Sequence, residues 1–228
     1  MKNPLLEEIL CFLNENKNTA AIEGMKRFGI VTTTAFGVSL PILRKQARLY
    51  KNNHELALAL WETAFHEARI LATIIDDPSK VSPSQMDQWV KDFYSWDICD
   101  QCCGNLFRNT PYKWEKAFEW AKDEREYVRR AGFVMMAGIA IGDKKADDSL
   151  LMPFFDYILT YSTDERNFVK KAVNWALRQI GKRSRLLNLK AVEIAEILMK
   201  SENKTVQWIG KDAYRELINP SILKNIKH

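Results

Sequence analysis

Glycine and proline are scarce, nine and seven in 228 residues. A chain with so few turn formers cannot be built from many short strands joined by tight turns, so helices must carry most of it. No run of 18 apolar residues exists, which leaves no candidate for a helical membrane span. No N-terminal signal peptide is visible, because Met1-Lys2-Asn3-Pro4 leads directly into an amphipathic pattern. Of four cysteines, Cys99, Cys102 and Cys103 crowd into five positions and only Cys11 lies elsewhere. That is a poor disulfide framework, and the reading is reduced thiols of a cytoplasmic protein. The three histidines (His54, His66, His228) are scattered, and no second Cys or His pair joins Cys99-x-x-Cys102 at zinc spacing. There is no glycine-rich phosphate loop, no metal-ligand cluster and no His-based nucleophile arrangement, so no cofactor and no metal are expected.

What is present is ordinary in bulk: 46% hydrophobic and 28% charged residues, with a net charge of +5. The charge is unevenly spread. Between Asn167 and Val192 lie Lys170, Lys171, Arg178, Lys182, Arg183, Arg185 and Lys190, with no acid among them. Asp76, Asp77, Asp87, Asp92, Asp97 and Asp100 make an earlier stretch acidic. A local basic field can steer a polyanion even when net charge is modest.

Apolar residues recur at helical spacing almost throughout. The pattern predicts helices around Leu5–Leu13 and Ala20–Phe28, then one opening at Ser39 with Pro41 in its first turn and continuing through Leu43–Tyr50. Further helices are predicted over His54–Trp61, Thr63–Ile75, Ser84–Phe93, Trp96–Phe107, Pro111–Ala121 and Glu124–Ile141. Asp148–Leu159, Glu165–Gly181, Asn188–Met199 and Lys204–Leu217 complete the series. No segment alternates with period two, so the fold class is all-α.

Ala68-Arg69-Ile70-Leu71, Ile98-Cys99-Asp100-Gln101, Val128-Arg129-Arg130-Ala131, Val169-Lys170-Lys171-Ala172 and Val206-Gln207-Trp208-Ile209 can be set in register at offsets of 30, 30, 41 and 37 residues. Each falls in the second helix of a predicted pair. Repeats of this length built from helix pairs indicate an α-solenoid of HEAT or armadillo kind, here one domain over 1–228 with 191–228 as an added repeat or cap. In that register Asp100, Arg130 and Lys171 share one slot, which in a solenoid lines one surface, commonly a basic concave face. Lys171, Trp175 and Arg178 fall at i, i+4 and i+7, with Lys182 a further turn along, so one helix face carries an indole among cations.

Trp96-Asp97-Ile98-Cys99-Asp100 places an indole and a carboxylate four residues apart. On a helix both lie on one face, about one turn apart. An aromatic plate beside an acid, near bases, suits attack on a cationic group held on nucleic acid. The plainer reading is a core Trp and a solvated Asp. Trp61, Trp89, Trp114 and Trp120 read as packing residues. Asp97 reads as a helix-start or structural acid.

Trp96-Asp97-x-x-Asp100, then Val128-Arg129-Arg130-Ala131, then Lys171-Ala172-Val173-Asn174-Trp175-Ala176-Leu177-Arg178-Gln179-Ile180-Gly181-Lys182 together resemble the AlkD-like DNA alkylation-repair glycosylase family. Gly37-x-x-x-Pro41-x-Leu43-Arg44 is similar too, and the resemblance runs from about residue 20 to 185. It implies HEAT-like helical repeats that wrap duplex DNA and hydrolyse the N-glycosidic bond of cationic N7-alkylguanine and N3-alkyladenine, without a base-flipping pocket. By matching positions it implies Asp100 as the catalytic carboxylate and Trp96 and Trp175 as lesion-contacting indoles. Arg130 and Arg178 would grip the backbone beside the lesion, and Lys171, Lys182, Arg183 and Arg185 would supply further phosphate contacts. The expected partner is duplex DNA containing alkylated purines, with no membrane, and the expected state is a monomer.

The chain departs from the family in two places. Phe28 stands where some members carry a tyrosine close to DNA, so no hydrogen-bonding role is assigned there. Beyond Lys190 the match fades, and Lys204–Leu217, with Trp208 and Tyr214, is read as packing. Two other functions stay open at this point: a non-catalytic HEAT-like module for damaged or branched DNA, in which Asp100 pairs Arg130, and a protein-interaction scaffold.

Overall fold

The structure is a computed structural model and describes residues 3–226; Met1, Lys2, Lys227 and His228, including the N-terminal pair and the third histidine named above, lie outside them. Every regular element among the described residues is helical. The chain divides into two compact units, Met1–Pro111 and Tyr112–His228.

The first unit holds α1 (Pro4–Glu15), α2 (Thr19–Arg27), α3 (Leu40–Ala47), α4 (His54–Glu62), α5 (His66–Ile75), α6 (Pro83–Lys91) and α7 (Trp96–Asn105). Side chains start several of them. The Asn3 side chain accepts from the Leu5 and Leu6 N–H groups, Asn18 from Ala21, Asn53 from Leu56 and Ser82 from Gln85. Each bond satisfies a helix-start donor that has no partner within the helix. Ser39 occupies the N-cap position of α3 with extended backbone but makes no side-chain capping bond. The helix predicted from Thr63 begins at His66 instead, because Ala64 sits at φ 57°, which no continuing right-handed helix allows. The core is aromatic at its centre, where Trp61 and Trp89 stack with centroids 4.0 Å apart and planes 2° from parallel.

Gly37 marks the chain's return into α3. Its φ is +77°, and a Cβ there would collide with the Asn18 carbonyl oxygen. Glu67, 1% exposed, accepts from the backbone N–H groups of Phe36, Gly37 and Val38 at 2.8, 2.6 and 3.2 Å. A buried carboxylate with three backbone donors is compensated in place, and it fixes the 28–39 connection against α5.

The second unit holds α8 (Lys113–Ala121), α9 (Glu126–Gly142), α10 (Phe154–Tyr161), α11 (Asn167–Gly181), α12 (Arg185–Met199), α13 (Lys204–Leu217) and α14 (Pro220–Leu223). α9 is buried along nearly its whole length, and α8 and α11 pack against it. Gly132 permits the first approach, since a Cβ there would meet the Ala121 backbone. The helix predicted over Asp148–Leu159 is split: a single 3-10 turn at Asp148–Leu150, then α10 with Pro153 at its N-cap. Proline lacks the N–H that a continuous helix would use. Residues 191–226, predicted as an added repeat or cap, complete a helix pair, α12 packed on α13, followed by the short α14.

Polar bonds stitch the second helices of successive pairs. In the first unit His66 meets Asp97 and Thr73 meets Asn105, 31 and 32 residues apart. In the second, Arg130 reaches Phe168, Asn174 reaches Asp212 and Arg178 reaches Glu216, each 38 residues apart. These ladders are the physical form of the weak sequence repeat.

Candidate nucleic-acid interface

α7 carries the residues of interest in the first unit. Trp96 and Asp100 lie one turn apart on it, both half-buried. The indole is tethered: Trp96 Nε1 donates to the Phe28 carbonyl oxygen at 3.0 Å. The Phe28 ring is 71% exposed and makes no hydrogen bond; the residue's backbone carbonyl is what anchors Trp96. No side-chain pattern could have shown this, because the acceptor is main chain.

Asp97 begins the same helix and turns inward. It accepts from Ser95 Oγ at 2.6 Å and bonds His66 Nε2 at 2.8 Å, while His66 Nδ1 meets the Tyr94 hydroxyl at 3.2 Å. Burial alone would raise the Asp97 carboxyl, but the bonds from His66 and Ser95 outweigh it and hold it below the usual range. Asp97 thus ties the start of α7, the helix that carries Trp96 and Asp100, to His66 of α5. A cleft of about 260 Å³ beside α7 has mostly apolar walls, including Met25, Leu40 and Ile70, and is also lined by Asp97 and Gln101.

In the second unit the α11 stripe forms as predicted by spacing. Lys171 is exposed, and Trp175, Arg178 and Lys182 are half-buried on successive turns. With the Gln179 amide oriented to satisfy its neighbours, its oxygen accepts from Trp175 Nε1 and Lys182 Nζ, both at 3.0 Å. One side chain therefore fixes both the indole and the last cation of the stripe.

The run of seven cations without an acid is not uncompensated. Glu216 of α13 takes Arg178 at 2.6 Å through one carboxylate oxygen and Lys182 through the other, and Asp212 lies 3.7 Å from Arg178. Burial pushes Glu216 up, but Lys182 and Arg178 outweigh it and hold the carboxyl below its usual range. The sequence carried a faint signal: Asp212 and Glu216 repeat the i, i+4 spacing of Asn174 and Arg178.

Two of the cations assigned to phosphate are also bonded within the protein. Arg183 Nε bonds Asp148, and its terminal nitrogens donate to the carbonyls of Ala140, Asp143 and Ala146. A guanidinium with four acceptors in its own chain is a staple for the 143–148 loop rather than a hand for phosphate. Arg130 is only 7% exposed and donates to the Phe168 carbonyl at 2.6 Å, so it is a fixed charge holding α9 to α11 rather than a surface cation. Arg185 is exposed at the start of α12. Among the described residues no group of three or more His, Cys, Asp or Glu could hold a metal, and no helix is long and apolar enough to cross a membrane.

A family model described as DNA alkylation repair enzyme matches residues 10–217. A solved structure described as a new family of proteins related to the HEAT-like repeat DNA glycosylases, with affinity for branched DNA structures, superposes with a TM-score of 0.77 at 21% identity, over 98% of this chain and 97% of the other. That likeness shows the fold: all-α, of HEAT-like repeats. An engineered protein at 15% identity covers 90% of this chain and 89% of its own at a TM-score of 0.43. A search of curated proteins gave no match.

Proposed function

The chain belongs to the DNA alkylation repair enzyme family, and from that premise we propose that it is a DNA glycosylase for cationic alkylpurines in duplex DNA. The observation that carries the reading is the Trp96–Asp100 pair on one face of α7, with the indole held by its own hydrogen bond.

The chemistry suits these groups. Alkylation at N7 of guanine or N3 of adenine leaves the purine positively charged, so it departs as a neutral base without being protonated. As the N-glycosidic bond breaks, its electron pair goes to the purine and the sugar becomes oxocarbenium-like. The Asp100 carboxylate stabilises that cation and orients a water, whose oxygen bonds to the sugar while its proton is lost to the carboxylate and then to solvent. The indole face of Trp96 attracts the cationic sugar, and Trp175 on α11 is a further DNA-contacting indole. Arg178, Lys171, Lys182 and Arg185 contact phosphate, and Arg130 contributes a fixed positive charge. None of these steps calls for a cofactor. The proposed state is a monomer acting in the cytoplasm.

A second reading has an observation of its own. The structural relative is described as having affinity for branched DNA, so this chain could bind such DNA without cleaving a bond. The deciding experiment is release of N7-methylguanine from methylated duplex DNA by wild type and Asp100→Asn at matched salt, with binding measured for both. Release that disappears in the variant while affinity is kept supports the glycosylase. Tight, salt-sensitive binding by wild type with no release overturns it in favour of the binding module.

A further inference from the structure

Trp208 does not do what a packing tryptophan does. Trp61, Trp89 and Trp120 are exposed by 3% or less, whereas Trp208 is 39% exposed on α13. Its neighbours along that face are Lys204, Lys211 and Arg215, at i−4, i+3 and i+7, and all three are exposed. Lys170 of α11 places its ammonium 5.8 Å from the indole centroid. A cleft of about 340 Å³ runs along this face, lined by Lys204, Gln207, Trp208, Lys211, Asp212 and Arg215. Its one acid is occupied: Asp212 accepts from Arg215 at 2.7 Å and from Asn174 at 2.7 Å.

The spacing repeats that of α11. Lys204, Trp208, Lys211 and Arg215 follow Lys171, Trp175, Arg178 and Lys182 at a constant offset of 33 residues, cation-x3-Trp-x2-cation-x3-cation in both. The bonds that join α11 to α13 run at 38 residues, so the two stripes are out of step by five. Trp208 therefore lies beside Lys170, while Asp212 and Glu216 meet Asn174 and Arg178 of α11.

We infer that the exposed α13 stripe is a second DNA-contact surface that takes an unpaired strand, with Trp208 stacking on a base while Lys204, Lys211 and Arg215 hold its phosphates. The charge is complementary to a polyanion, and indole stacking with flanking cations is how proteins hold single strands. In a duplex the base faces are already stacked on one another, so an exposed indole gains a partner only where a base is unpaired. The inference rests on the DNA-binding part of the function proposed above and not on bond cleavage.

The test uses the full chain and two labelled DNAs, a blunt duplex and the same duplex with a single-stranded 3′ tail of about ten nucleotides, within the usual span of one single-strand site. Binding is read by fluorescence anisotropy across a salt series. Trp208→Ala is expected to weaken the tailed duplex about tenfold, as loss of one stacked base predicts, and to leave the blunt duplex unchanged. Trp208→Phe should restore most of the loss, which a merely misfolded variant would not. Lys204→Glu with Lys211→Glu should flatten the salt slope on tailed DNA by about 1.4, two single-strand phosphates' worth. Wild-type affinity and slope in Trp208→Ala and the double variant overturn the inference, as does an equal loss on both DNAs. Release of methylated base from blunt duplex should be the same in Trp208→Ala as in wild type. Absence of release in every protein, with the tail effect intact, would count against the glycosylase alone; wild type binding neither DNA would remove both.

Discussion

Arg178 and Glu216 are bonded at 2.6 Å from helices 38 residues apart in register, and the second oxygen of the same carboxylate holds Lys182. A cation proposed to meet DNA phosphate is thus already met by an acid of its own chain. Phosphate must compete with Glu216 for it, or share it through the guanidinium's remaining donors.

Glu216→Gln separates the two roles of this pair. Removing the acid leaves the half-buried Arg178 with less compensation, and stability should fall by about 1–3 kcal/mol. DNA affinity should rise at low salt and its salt slope steepen, because two cations are released towards phosphate. Thermal unfolding and a binding salt series read the two effects. Affinity that falls in step with stability would mean that Glu216 shapes the interface rather than shielding it.

Arg183 and Lys171 should part in the same assay. Arg183→Ala removes three bonds to the 143–148 loop and one to the end of α9, and should cost about 2–4 kcal/mol, with little change in the salt slope. Lys171→Ala should leave stability nearly unchanged and lower the slope by about 0.9, one duplex phosphate. A slope change in the Arg183 variant as large as that in the Lys171 variant would restore Arg183 to the phosphate contacts.

Asp97 gives the fold an acid-sensitive joint. Its folded-state carboxyl titrates below the ordinary value because His66 and Ser95 bond the ionised form. A depressed carboxyl contributes stability that is complete above the unfolded value, about pH 4, and is lost as pH falls through the folded one. Asp97→Asn should therefore lower stability at neutral pH and flatten the acid limb of the stability profile. Denaturant unfolding between neutral pH and about pH 3 covers the window. An unchanged acid limb would show that other carboxylates, such as Asp164 between Arg129 and Arg166, carry it.

The Trp96 tether is tested by keeping the ring and removing the N–H. Trp96→Phe loses the bond to the Phe28 carbonyl and should slow single-turnover base release less than Trp96→Ala, which also removes the aromatic face. The bond itself should contribute about 0.5–1.5 kcal/mol to stability. Equal rates for the two variants would mean that the indole N–H matters and the aromatic face does not.

Much of the architecture was legible in the chain. Apolar spacing placed nearly every helix, since that period reflects only which face each helix buries. The misplaced ends have local causes: Ala64 left-handed before α5, and Pro153 before α10. The α7 pair and the α11 stripe were legible for the same reason, because residues three or four apart on a helix share a face wherever the helix goes. What each cation faces was not legible. Charge counted along the chain made Lys170 to Lys190 an unopposed basic run, yet Glu216, Asp212 and Asp148 reach into it from other elements. Arg183 and Arg185, two residues apart and alike in sequence, became a loop staple and an exposed cation. Trp208, read from the sequence as packing, is 39% exposed. Helical period and the indole–carboxylate spacing belong to the sequence, because they need only a local backbone. Which charges are spent inside the protein and which remain for a partner was decided by packing, because Glu216, Asp212 and Asp148 come from more than thirty residues away.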